Sequence, residues 1–285
     1  FYNDGIWPDE WISFYISVSD LDFLEKLNLH LAREGSSPIN LIFNNIIYFF
    51  VGYNYQNFEL SFLVINIISI LFFLQITKQK EKKLLILFLL SLNPMLIYYS
   101  GEIRFYTLSV LFSILSIIFF FKLQNFNSKL NILAFTIFTL ISLLTNIYSI
   151  SLLLSYFIYN FFKKNNKFFY IILFLIFIFF LILNFSYFEK MVIDYFSGSY
   201  GVAGNIDRKF FLGYFFNIFF GNILLGAFFL ILFATSPLFF KLDAYNNDKL
   251  FLFYIIIFSS YLIPIFFFLL GKNVTFPRHL IFLVP

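Results

Sequence analysis

The chain has 285 residues, of which 61% are hydrophobic and 12% charged, with a mean hydropathy of +0.88. Soluble domains carry about a quarter charged residues, so this composition excludes an ordinary water-soluble fold and points to an integral membrane protein. A net charge of +4 spread along the chain excludes a basic nucleic-acid surface, and the absence of cysteine excludes disulfides and thiolate metal sites.

Residues 1–37 are polar and acidic for this chain, with amphipathic pieces at Trp11–Val18 and Leu21–Ala32 that suit helices lying in the membrane interface. Gly35, Ser36, Ser37 and Pro38 then mark a break followed by a helix start. Residues 39–53 are apolar but short and interrupted by Asn44 and Asn45. Continuous apolar runs follow at 58–76, 84–99, 104–122, 130–145, 147–162, 168–187, 211–235 and 250–270, and another begins at Leu280. A helix needs about 20 apolar residues to cross the hydrocarbon core, and strict alternation in strands of about 10, the mark of a membrane β-barrel, is missing. The expected fold is therefore all-α. It is a single polytopic transmembrane helical bundle over 1–285, with 1–57 as a first outer loop of juxtamembrane helices and 58–285 as about eight spans plus the start of another. The chain opens without a Met inside a polar stretch and stops as a new apolar run begins, so truncation at both ends is expected.

Orientation follows from the Lys/Arg bias of the loops. Lysines cluster at 78–83, at Lys122 and Lys129, at 163–167, and at Lys241 and Lys249, and counting spans puts all four clusters on one side, predicted to be cytoplasmic. If 39–53 crossed the membrane, the 78–83 cluster would change sides; that segment is therefore predicted to be a juxtamembrane or re-entrant helix of the outer loop. The cytoplasmic side then has eleven lysines against three acids, and the outer side has eight basic and twelve acidic groups, giving +8 and −4. All four arginines, Arg33, Arg104, Arg208 and Arg278, fall on the outer side. The guanidinium fork grips phosphate in bidentate fashion where lysine is a point charge.

Four stretches on that outer side have residues suited to chemistry. Asp9 and Glu10 lie between Trp7 and Trp11; a carboxylate there can take a proton from an attacking nucleophile, or Asp9 can simply cap the helix that follows. In residues 92–108 a span with Asn93 and Pro94 turns at Ser100 and Gly101 and re-enters through Glu102, Arg104 and Tyr106, either as a functional mouth or as a local Glu102–Arg104 pair. In residues 271–285, Lys272, Arg278 and His279 bring positive charge to the edge of the last run, where a lipid phosphate would sit; with His30 the only other histidine, a histidine metal cluster is excluded. The loop 188–210 spaces Gly198, Gly201 and Gly204 among Tyr195 and Tyr200, as a mobile flap or as an ordinary connector.

The order of these parts resembles the GT-C superfamily of polytopic glycosyltransferases, in its protein O-mannosyltransferase and aminoarabinose-transferase-like branch. The likeness rests on PDEW at 8–11, SPINLIF at 37–43, the lysine-rich inner loop, NPMLIYYSGEIRFY at 93–106 and FPRHLIFLVP at 276–285. It implies inverting transfer of a sugar from a polyprenyl-phosphate-linked donor to a lipid, glycan or protein acceptor, on the extracytoplasmic face of a multi-pass plasma (inner) membrane protein surrounded by membrane lipids. Asp9 is then the expected general base, Glu10 a supporting acid and Glu102 a second acidic group. Arg104, Tyr106, Lys272, Arg278 and His279 are the expected contacts of the donor phosphate. Relatives with a divalent-metal site carry Asp-x-Asp where this chain has Glu102 and Arg104, so no metal or other cofactor is expected, with arginine neutralising the phosphate. Alternatives are a transporter or flippase for a lipid-linked or anionic sugar, an envelope polymerase or ligase, and a non-catalytic scaffold.

Overall fold

A computed structural model describes residues 8–33, 38–77, 80–91, 93–125, 128–163, 167–183, 224, 226–228, 231, 235 and 244–269. The described residues are helical, with no strand among them. In chain order the helices are α1 (Pro8–Val18), α2 (Phe23–Arg33), α3 (Pro38–Val51), α4 (Tyr55–Phe73, extended by one 3-10 turn at Leu74–Ile76), α5 (Lys80–Ser91), α6 (Pro94–Tyr99), α7 (Phe105–Asn125), α8 (Lys129–Thr145), α9 (Ile150–Lys163), α10 (Lys167–Leu183) and α11 (Ala244–Leu269).

Local chemistry sets the boundaries. The Asn54 carboxamide caps α4 by accepting from the Asn57 N–H at 3.3 Å, and the Ser128 hydroxyl caps α8 in the same way from Asn131 at 3.2 Å. Gly52, at φ +66°, turns the chain between α3 and α4, a conformation that costs glycine nothing. The apolar run 84–99, expected as one span, is two helices. Pro94 has no N–H to continue the ladder and its ring clashes with the preceding turn, so α5 stops at Ser91 and Asn93 starts α6 by accepting from the Leu96 N–H at 3.2 Å.

Among the described residues, two stretches, Tyr55–Ile76 and Phe105–Gln124, are long and apolar enough to cross a membrane. Helices α3 and α9 have 14 residues and α8 and α10 have 17, so at 1.5 Å per residue they measure about 21–26 Å against a hydrocarbon core of about 30 Å. The two long stretches differ in setting. In the 18-residue apolar window of Phe105–Gln124, 83% of the residues are buried in the protein, against 22% in that of Tyr55–Ile76. Helix α7 is thus the axis and α4 a rim.

Around α7 the interior is held by hydroxyls as well as by packing. Ser113 bonds Ser142 of α8 at 2.9 Å, and Ser116 bonds both Thr139 of α8 at 2.7 Å and Tyr156 of α9 at 2.8 Å. The Tyr156 ring stacks on Phe120 at 4.5 Å. Helices α9 and α11 meet through Ser155–Ser259 and Ser151–Ser260. Large apolar side chains point the other way: Leu60, Val64, Ile67 and Leu71 of α4, and Ile171, Phe174, Leu175 and Ile182 of α10, are all exposed.

The lysine-bearing helix ends gather at one end of this bundle. Lys249, at the start of α11, donates to the Ile76 carbonyl beyond α4 and lies over the Phe121 ring of α7; Lys163, at the end of α9, pairs with Asp248. Helices α1, α2 and α3 pack together with the opposite end, where α4 and α7 begin.

Candidate functional site

The site is built where α1, the start of α4 and the loop 100–104 meet. Helix α1 starts at Pro8, a residue suited to the first helical position because its missing N–H is not needed there. Asp9 and Glu10 are therefore inside the first turn, where the helix dipole favours negative charge, and Asp9 does not precede the helix as a cap would. The side chain of Asp9 lies outside what the structure describes. Glu10 is buried, and its Oε1 accepts the Ile103 N–H at 3.1 Å, joining positions 93 apart in sequence.

That bond brings α1 to the loop that holds Glu102 and Arg104. The loop is tightly turned, with the Arg104 N–H donating to the Glu102 carbonyl at 2.8 Å. The Arg104 guanidinium lies over the rings of Phe105 and Tyr106, 5.9 and 5.4 Å from their centroids, and its Nη1 donates to the Tyr106 hydroxyl at 3.3 Å. Tyr106, expected as a contact of the donor phosphate, is fully buried, packs on Tyr99 of α6 at 4.8 Å and holds the arginine through its hydroxyl. Thr107 bonds the Tyr99 carbonyl at 3.2 Å and closes the clasp between α6 and α7.

Two residues of α4 that the sequence reading does not single out complete the arrangement. Tyr55 packs edge-on against Trp11 at 6.0 Å and Phe14 at 5.4 Å. Glu59 is exposed at the mouth and lies against Gly101. The signal was a lone carboxylate at the start of an apolar run, which is costly in a membrane unless it is used. Among the described residues, no group of three His, Asp or Glu side chains is placed to hold a metal ion.

The α1–α3 module has a polar interior. Lys26 donates to the Ser17 carbonyl at 2.8 Å and to Asn45 Oδ1 at 3.2 Å, and sits over the Tyr48 ring; burial holds its ammonium below the usual lysine range, with Asp20 opposing. On the face of α1 turned away from Glu10, Trp11, Ile12, Tyr15 and Ile16 line, with Leu29 and Tyr53, an apolar groove of about 530 Å³. Lys272, Arg278 and His279, and the loop 188–210, lie outside the described residues. Chemically, the site pairs carboxylates able to orient or deprotonate a hydroxyl with an arginine able to bind an anion, at one end of an apolar bundle.

The chain matches no protein-family profile, no curated protein and no solved structure.

Proposed function

We propose that this chain is a multi-pass membrane glycosyltransferase that moves a sugar from a polyprenyl-phosphate-linked donor to an acceptor at the extracytoplasmic face. The observation that supports it most is the bond from Ile103 to Glu10, because it joins the acidic pair of the first outer segment to the Glu102–Arg104 loop. Membrane embedding is supported by the distribution of polarity: hydroxyls pair in the interior while leucines, isoleucines and phenylalanines face outward. In water such apolar faces are a liability, whereas in lipid small hydroxyl residues are a common means of joining helices. The gathering of lysines at the far end supports the sidedness, because positive charge marks the cytoplasmic side.

In this reading the Arg104 guanidinium takes up the charge that grows on the leaving phosphate, and a carboxylate takes the proton of the acceptor hydroxyl as it attacks the anomeric carbon from the opposite face. Glu10 is engaged by a backbone N–H, which suits a residue that positions the loop and leaves the base to Asp9. The test is transfer from a radiolabelled polyprenyl-phosphate sugar by the full chain in proteoliposomes. Asp9→Asn should lower turnover at least about 100-fold, the usual size of a general-base contribution, with helicity and elution volume unchanged. Unaltered turnover removes Asp9 from this role.

A second reading, a carrier for a lipid-linked or anionic sugar, draws on the break between α5 and α6, since interrupted spans are a mark of transporters. The same proteoliposomes separate the two: label that crosses the bilayer without a change of chemical form favours the carrier.

A further inference from the structure

The loop 100–104 is gripped from two sides. From α1, Glu10 holds the Ile103 N–H at 3.1 Å. From α4, the stem of Glu59 lies so close to Gly101 that a Cβ added there would stand 2.9 Å from Glu59 Cγ and 3.2 Å from its Oε1. Distances under 3.0 Å are not found for real Cβ atoms, so a side chain at 101 and the Glu59 stem cannot both keep these places: either the exposed Glu59 swings aside or the loop shifts.

We propose that Glu59 is a positioning residue of the transfer site, whose stem, seated on Gly101, sets the height of the loop that presents Glu102 and Arg104 to substrate. The role rests on the glycosyltransferase reading and adds to it a residue from α4, tying the site to a helix long and apolar enough to span a membrane. Glu10 and Glu59 then act as a pair. One fixes the loop through its backbone, the other fixes it by shape.

The measurement is a double-mutant cycle on the full chain in nanodiscs, with binding of a short-chain polyprenyl monophosphate as the readout. Arg104→Ala, which removes a charged hydrogen-bonding group, should weaken binding by about tenfold or more. Gly101→Ala alone should weaken it by about tenfold, because the new methyl pushes the loop off its seat. Glu59→Ala removes the Cγ that the methyl strikes, so Gly101→Ala/Glu59→Ala should return to within about threefold of Glu59→Ala. That rescue distinguishes positioning from a loss of fold, which would make the double variant worse.

Because the chain has no cysteine, Gly101→Cys with Glu59→Cys provides a second measurement that does not depend on the alanine variants folding. The pair should oxidise readily to an intramolecular disulfide. Wild-type binding with additive single and double variants, or a cysteine pair that stays reduced, overturns the seat alone. A wild-type chain that ignores the probe, or an Arg104→Ala variant that binds it unchanged, overturns the glycosyltransferase reading and with it the role given to Glu59.

Discussion

The two ends of the bundle use charge differently. At the lysine end three of the cations serve helix C-termini: Lys122 and Lys163 lie in the last turns of α7 and α9, and Lys249 donates to the Ile76 carbonyl just past α4. Cations at helix C-termini are favourable through the macrodipole and the free carbonyls, so helix chemistry accounts for these three. At the acid end Glu10 also starts a helix, but its carboxylate holds the Ile103 N–H of the 100–104 loop, and Glu59 of α4 lies against Gly101 of the same loop. Those contacts go beyond what helix ends need and separate a candidate site from a well-capped end.

Substitutions at both ends sharpen or break this contrast. The largest effect on stability is expected for Glu10→Leu, which leaves the buried Ile103 N–H without its charged acceptor and should cost about 1.5–3 kcal/mol, read as a fall in detergent melting temperature together with faster proteolysis at residues 100–104. If Glu10→Leu melts like the wild type, the loop is not held from α1.

Next comes a dependence on pH within the module. Burial lets Lys26 lose its proton in the folded chain below the ordinary lysine value of 10.5, so between its folded value and 10.5 the unfolded chain holds more protons and stability rises with pH, levelling above 10.5. Melting curves across that range should show the rise in the wild type and not in Lys26→Met. Asp20→Asn, which removes the charge that opposes the shift, should widen the window downward.

The smallest effect is expected at the opposite end. Lys163 and Asp248 are 39% and 42% exposed, and such surface pairs contribute about 0–1 kcal/mol. Lys163→Ala should barely move the melting temperature and leave polyprenyl-phosphate binding unchanged; a loss of binding there would erase the distinction between the ends.

Much of the helical layout was legible, because apolar runs bounded by Gly, Pro, Asn and Lys carry their own punctuation. The runs 104–122 and 130–145 read as helices from the sequence and fold as Phe105–Asn125 and Lys129–Thr145. Pro94 was equally visible, yet the run 84–99 reads as continuous because hydropathy averages over a proline that the backbone cannot. The acid pair and the Glu102–Arg104 loop stood out because charge is scarce. Their meeting, through one bond between positions 93 apart, is a property of the packed chain and leaves no local trace. Glu59 was missed for the complementary reason: it sits within an apolar run whose overall character outweighs one carboxylate, and only the approach of Gly101 shows what it does.

The bond from Lys249 to the Ile76 carbonyl also bears on the order in which the chain folds. It joins positions 173 apart, and at ribosomal rates of about 5–20 residues per second the second partner emerges roughly 10–35 s after the first. During that interval the end of α4 has neither the ammonium nor the Phe73–Phe253 ring contact that later covers it. The acid end has its Glu10–Ile103 bond available far earlier in synthesis. The nascent chain thus has the partners of its Glu10–Ile103 bond long before those that close the lysine end.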